Sequence, residues 1–138
     1  MTAGVDLGPK TQAIASDEDV VRVRQLVRTV AVAVKLSLVD QTKLVTAASE
    51  LARNTLIYGG GGSAEVTVVE DGRRRGVRIV FADSGPGIAD LNLALTDGYT
   101  TGGGLGLGLS GSRRLVDDFD IQTAADTGTR ITVTKWSR

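Results

Sequence analysis

The spacing of the apolar residues changes once along this chain, near residue 60, and that change limits the folds available to it. Between residues 16 and 58, apolar side chains recur every three or four positions, as in amphipathic helices. From residue 64 onward they alternate with polar side chains, as in strands that bury one face. The change predicts an α+β fold, a two-layer α/β sandwich with a mainly antiparallel sheet and helices on one face.

The two early helices have recognisable limits. Ser16 is the predicted N-cap of the first, because three acidic residues follow it at the positive end of a helix. Asp40 is the predicted cap of the second, which four glycines at 59–62 terminate. The expected buried positions are Val20, Val23, Val27, Val30 and Val34 in the first helix and Leu44, Ala48, Leu51, Thr55 and Tyr58 in the second.

The second half of the chain predicts strands and one more helix. Alternation around 65–68 and 77–82 indicates two strands, joined as a hairpin through the polar tip EDGRRRG at 70–76. Further strands are expected at 119–123 and 130–134, with a weaker edge strand at 11–15 and a helix around 109–119. The length of 138 residues favours one domain spanning 1–138.

Composition excludes several classes of partner. The 16 basic and 16 acidic residues cancel, and only five residues are aromatic, so neither a basic field nor a base-stacking platform suggests nucleic acid. No apolar run approaches the ~20 residues of a membrane span. Because the first residues lack the regions of a signal peptide, we expect a cytoplasmic protein with no membrane partner.

Two missing residue types narrow the chemistry. The chain has no cysteine and no histidine, which excludes thiol nucleophiles, Ser-His-Asp triads and phosphohistidine. Any reaction must therefore draw on carboxylates, amides and backbone dipoles, with or without a hard metal ion.

A glycine-rich segment, GYTTGGGLGLGLSG at 98–111, indicates a phosphate site. Glycine loses more chain entropy on folding than other residues, but a bare backbone lets N–H groups approach an anion closely. The P-loop pattern is absent, and the G-x-G-x-x-G match at 106–111 has no strand before it. A flexible linker is the ordinary alternative, and the large apolar residues Leu105, Leu107 and Leu109 argue against it.

Two further stretches carry candidate functional residues. Glu50 and Asn54 stand four apart on the second helix and so share one face, although a solvated helix face would show the same pattern. The stretch DSGPGI at 83–88 directly follows a predicted strand. A tight turn explains its Gly-Pro-Gly but not the carboxylate of Asp83 at the strand end.

In this order, the three stretches and Gly128-Thr129 resemble the ATP-binding boxes of the GHKL superfamily, which includes gyrase, Hsp90, MutL and histidine kinases and has the Bergerat ATP-binding fold. More narrowly, SELARN, DSGPGI, DGYTTGGGLGLGL, RRLVDDF and the final KW resemble the RsbT-type serine/threonine kinases of the stressosome. This resemblance extends from about residue 14 to the end of the chain.

The resemblance implies ATP and Mg²⁺ as cofactors and gives roles to residues. Glu50 is then the general base, Asn54 the Mg²⁺ ligand and an ATP contact, and Asp83 the acceptor for the adenine amino group. Thr129 contacts adenine beside Asp83. The other implied ATP-binding residues lie in the loop after the strand and in a glycine lid: Gly85, Gly87, Ile88, Thr100, Thr101, Gly102, Gly103, Gly104, Leu105, Gly106, Leu107 and Gly108. Since the lid has no basic residue before Arg113, Arg53 and Arg113 are candidate charge partners of the phosphates.

The missing histidine indicates that the phosphate acceptor lies on another protein, and the resemblance implies that this acceptor is a serine or threonine. The resemblance implies phosphorylation of a STAS-domain antagonist or scaffold protein of a stressosome, and activation of a PP2C-type phosphatase after release. An anti-sigma factor that sequesters a sigma factor with the same fold is the alternative. A site that binds nucleotide without chemistry is a third interpretation, which the presence of both Glu50 and Asn54 opposes.

Overall fold

The computed structural model describes residues 8–87, 108–124 and 127–137. Its helices are α1 (Asp17–Ala33), α2 (Leu38–Ile57) and α3 (Gly108–Arg114), and its strands are β1 (Lys10–Ile14), β2 (Gly62–Asp71), β3 (Arg74–Asp83), β4 (Asp118–Ala124) and β5 (Gly128–Trp136). The strands form one sheet in the order β1-β2-β3-β5-β4, and every neighbouring pair is antiparallel. The predicted α+β class is therefore confirmed, including the weakly signalled edge strand.

The core lies between the two long helices and one face of the sheet. Val77, Ile79 and Phe81 of β3 are fully buried, whereas the intervening Arg78 is exposed, as the alternation predicted. On the helical side the predicted stripe is buried from Val23 to the C-cap Val34, whereas Val20, predicted to be buried, is only half-buried. Leu44 and Leu51 of α2 have no exposed surface. Within the described residues, no helix has both the length and the apolar composition of a membrane span.

Helix α2 ends before the four glycines as predicted, but its N-cap and the burial of Tyr58 differ from the prediction. Ser37 is the N-cap: its hydroxyl accepts a hydrogen bond from the backbone N–H of Asp40 at 3.1 Å. Asp40 lies in the first turn, and its carboxylate forms an ion pair with Lys135. At the other end Tyr58 is the C-cap and is 41% exposed, so the prediction that it faces the core is wrong.

The third helix and the hairpin tip are also shorter than expected. The helix predicted over 109–119 ends at Arg114, because the N–H of Asp117 already bonds to the carbonyl of Thr134 and the chain enters the sheet. The hairpin turn comprises residues 72–73 alone. Opposite charges pair across the strands on its two sides and extend the ladder, as Arg74 with Asp71 at 2.8 Å and Arg75 with Glu70 at 3.3 Å.

A buried cluster of charges fixes the start of α2 to the sheet. The ammonium of Lys135, whose side chain is 6% exposed, lies 3.5 Å from a carboxylate oxygen of Asp40 and 3.3 Å from one of Asp117. The other oxygen of Asp117 accepts the backbone N–H of Trp136 at 2.7 Å. Since a buried ammonium is costly without partners, these contacts hold α2, β5 and the segment before β4 in one arrangement.

Candidate functional site

Helix α2 carries the two candidate residues for phosphate chemistry. Glu50 and Asn54 are both half-buried, and their spacing of four puts them on the same face of the helix. The helix closes just beyond them, where the carbonyl of Asn54 accepts the N–H groups of Tyr58 at 2.9 Å and Gly59 at 3.3 Å. The position of Gly59 is thus tied directly to the backbone of Asn54.

Asp83, the last residue of β3, has its carboxylate held by backbone donors from two sides. Its Oδ1 accepts the N–H of Gly85 at 2.9 Å and the N–H of Thr129 at 3.3 Å. The first donor belongs to the loop after β3, and the second to the start of β5. Because both are backbone groups of neighbouring segments, they orient the carboxylate without using another side chain.

Two glycines allow these segments to come so close. Gly128 has φ +97°, and a β-carbon there would overlap the carbonyl oxygen of Asp83. A β-carbon on Gly85 would lie 2.9 Å from the backbone of Gly59. Any larger residue at either position would therefore separate β5, α2 and the loop around Asp83.

A pair of hydroxyl groups adjoins this carboxylate. The Oγ1 atoms of Thr123 in β4 and Thr129 in β5 are 2.9 Å apart, and Thr123 also donates to the carbonyl of Gly128 at 3.4 Å. Gly87, with φ +80°, packs against the carbonyl of Ala124 at the end of β4. Sequence reasoning missed Thr123, because only the register of β4 against β5 brings it opposite Thr129.

The structure thus brings some of the predicted site residues together directly. Asp83, Gly85 and Thr129 share hydrogen bonds, and the C-terminal end of α2 joins them through Gly59. Gly108, with φ +70°, begins α3. Arg53 and Arg113 are exposed on α2 and α3. The remaining predicted ATP contacts lie outside the described residues: Ile88, Thr100, Thr101, Gly102, Gly103, Gly104, Leu105, Gly106 and Leu107.

The side chains at this site are compatible with a magnesium ion that has few protein ligands. The described residues contain no group of three or more acidic, cysteine or histidine side chains able to enclose a metal. Mg²⁺ usually takes one or two protein oxygens and completes its shell with water and phosphate oxygens. The half-buried amide of Asn54 can supply such an oxygen.

Comparisons with known proteins agree with this arrangement. The family model of histidine kinase-, DNA gyrase B-, and HSP90-like ATPases matches residues 39–137, which include all of α2 but its first residue, together with Asp83 and Thr129. The chain is 43% identical over 125 residues to the serine/threonine-protein kinase RsbT of Bacillus subtilis (strain 168), covering 91% of this chain and 94% of that protein.

A solved structure shows the same fold. The crystal structure of the RsbU and RsbW domains of Rv1364c from Mycobacterium tuberculosis superposes with a TM-score of 0.66 at 22% identity, over 94% of this chain and 33% of that chain. The resemblance stated from the order of the motifs is confirmed. The chain belongs to the histidine kinase-, DNA gyrase B- and HSP90-like ATPases and, within them, to the RsbT-type serine/threonine-protein kinases.

Proposed function

We propose that this chain is a cytoplasmic, single-domain switch kinase of a stressosome, which transfers the γ-phosphoryl group of ATP to a serine or threonine of a STAS-domain protein. When released from that protein, it binds and activates a PP2C-type phosphatase. The observation that carries the proposal is the placement of Glu50 and Asn54 on one face of α2, a helix whose C-terminal end packs against Asp83. Helix α2 is then the single rigid element that connects Glu50, the proposed proton acceptor, to Asp83, the proposed acceptor for adenine.

The adenine end of the proposed site is formed by Asp83, Gly85, Gly87 and Thr129. A carboxylate has about four acceptor positions, and backbone N–H groups occupy two of those of Asp83. The carboxylate therefore keeps the capacity to accept the amino group of adenine. Guanine carries a carbonyl oxygen at that position, which a carboxylate repels, so the site favours ATP over GTP.

At the phosphate end, Glu50 accepts the proton of the attacking hydroxyl group of the partner. A bond forms from that oxygen to the γ-phosphorus while the bond to the β-phosphate oxygen breaks, and ADP leaves. Asn54 is the protein ligand for Mg²⁺, which neutralises phosphate charge when bound. The exposed guanidinium groups of Arg53 and Arg113 are the candidate additional charges, and the glycine-rich segment supplies backbone donors.

Incubation of the chain with Mg-ATP and a STAS protein of the same genome tests this function. We expect the STAS protein to gain the mass of one phosphoryl group, this chain to gain none, and size exclusion to show that their complex dissociates. Phosphorylation adds about −1.5 to −2 charges, enough to disrupt a packed interface. A stable complex with a sigma factor, without phosphate on any STAS protein, would instead establish the anti-sigma alternative.

Asp83→Asn tests the adenine end separately. Asparagine keeps an oxygen for the N–H groups of Gly85 and Thr129 but loses the charge. ATP binding should weaken by about 1.5–3 kcal/mol, the usual contribution of a hydrogen bond to a charged group. Titration calorimetry with ATP and GTP measures the change, and Asp120→Asn, at an exposed position of β4, is the matched control. Equal affinity of the unmodified protein for the two nucleotides would contradict the role of Asp83.

A further inference from the structure

Gly59 lies where α2 meets the end of β3, outside the residues that the ATP-binding motifs contain. If Gly59 carried a β-carbon, that atom would lie 2.6 Å from both Cβ and Oδ2 of Asp83 and would overlap its carboxyl carbon. Real β-carbons do not approach other atoms so closely. The carboxylate of Asp83 is therefore packed directly against the bare backbone of Gly59.

The backbone conformation of Gly59 does not itself require glycine. Its φ lies outside the left-handed region, in contrast to Gly60 at +73° and Gly61 at +102°. The absence of a side chain at position 59 thus has a steric reason, and that reason is the side chain of Asp83. Gly60 shows the reverse combination, because a β-carbon there would have no atom within 4 Å.

The same residue is coupled to the phosphate end of the site. The N–H of Gly59 bonds to the carbonyl of Asn54 at 3.3 Å, so its position follows the last turn of α2. On its other side, its Cα and carbonyl oxygen lie so close to Gly85 that a β-carbon on Gly85 would be 2.9 Å from each of them. Gly59 thus links the helix of the metal ligand to the carboxylate that the proposed function assigns to adenine.

We propose that Gly59 is a positioning residue for nucleotide recognition: it sets where the carboxylate of Asp83 lies relative to Asn54 and thereby determines the preference for adenine. This inference rests on the proposed function, since it assumes that Asp83 accepts the adenine amino group. A side chain at position 59 displaces the carboxylate while leaving Glu50 and Asn54 in place. Adenine affinity then falls, and phosphoryl transfer at saturating nucleotide continues.

The test compares Gly59→Ala with the matched control Gly60→Ala, which introduces backbone strain without a collision. For Gly59→Ala we expect the ATP dissociation constant to rise about 10- to 100-fold, the scale of a lost hydrogen bond to a charged group. GTP affinity should be unchanged, and kcat at saturating ATP should fall less than about threefold, the split expected for a loss of binding alone. Gly60→Ala should lower thermal stability but keep the preference for ATP.

A double-mutant cycle on thermal stability supports the test even if Gly59→Ala folds poorly. Asp83→Gly removes all three side-chain atoms that the new β-carbon would meet, so Gly59→Ala should lower Tm in the original protein but not in the Asp83→Gly background. An equal loss of Tm in both backgrounds overturns the inference. So does unchanged ATP affinity in Gly59→Ala, or an equal loss of affinity in Gly60→Ala.

Failure of the proposed function gives a different result. If the unmodified protein binds ATP no more tightly than GTP, the assignment of Asp83 is wrong, and the inference about adenine fails with it. If the unmodified protein prefers ATP and Gly59→Ala keeps that preference, only the role of Gly59 is wrong.

Discussion

Glu50→Gln is expected to slow phosphoryl transfer by about 10²–10⁴-fold, the usual scale for the loss of a general base. Glutamine has nearly the shape of glutamate and keeps a hydrogen-bond acceptor, but it cannot take the proton of the attacking hydroxyl group. Because Glu50 is only half-buried on α2, the neutral side chain fits without a new cavity. ATP binding and binding of the proposed STAS-domain partner should remain close to those of the unmodified protein.

Single-turnover measurements with the proposed STAS-domain partner at saturating Mg-ATP check this expectation. Glu65→Gln, on an exposed position of β2, is the matched control and should transfer phosphate at the original rate. Asn54→Ala in the same assay should raise the Mg²⁺ concentration needed for half-maximal rate. If Glu50→Gln transfers phosphate as fast as the original protein, Glu50 is a helix-surface residue and another group removes the proton.

Lys135→Met is expected to lower the free energy of unfolding by about 3 kcal/mol, the lower end of the range for breaking a buried ion pair. The methionine fills similar volume, but Asp40 and Asp117 then face each other without the ammonium between them. Their side chains are 13% and 19% exposed, so water compensates for only part of the loss.

Urea denaturation followed by circular dichroism measures the change. The control is Lys43→Met, the same substitution at an exposed position of α2, which should change stability by less than about 0.5 kcal/mol. An unchanged urea midpoint for Lys135→Met would show that the buried charges contribute no net stability. That result would also mean that the charge cluster is not what holds α2 in its position.

Where local chemistry decides the structure, the sequence was sufficient to predict it. The hydroxyl of Ser16 accepts the N–H of Asp19 at 3.3 Å, as its position before three acidic residues predicted. The predicted N-cap of the second helix was wrong because serine and aspartate both cap helices well, and the cap is Ser37 rather than Asp40. What distinguishes them is Lys135, which is distant in sequence and binds the carboxylate of Asp40 in the folded chain.

The residues of the candidate site were likewise only partly predictable from the sequence. The motifs locate Glu50, Asn54, Asp83 and Thr129, because each stands at a fixed offset within a short segment. The positions of Gly59 and Thr123 beside the candidate site could not be predicted, since they depend on contacts between elements distant in sequence. The helix predicted over 109–119 is shorter in the structure for a related reason. Apolar residues continue the helical spacing beyond residue 114, but that part of the chain forms hydrogen bonds with β5 and belongs to the sheet.

The strand order has a consequence for the way the chain acquires its structure during synthesis. Strand β5 lies between β3 and β4, yet it follows both of them along the chain. A ribosome therefore releases β4 before the strand with which it pairs, and one edge of β3 remains open during the same interval. Exposed strand edges pair readily with other chains. The hairpin of β2 and β3 can form early, but β3 and β4 gain the strand between them only when residues 128–136 have left the exit tunnel, so until then the nascent chain exposes the two strand edges that β5 later covers.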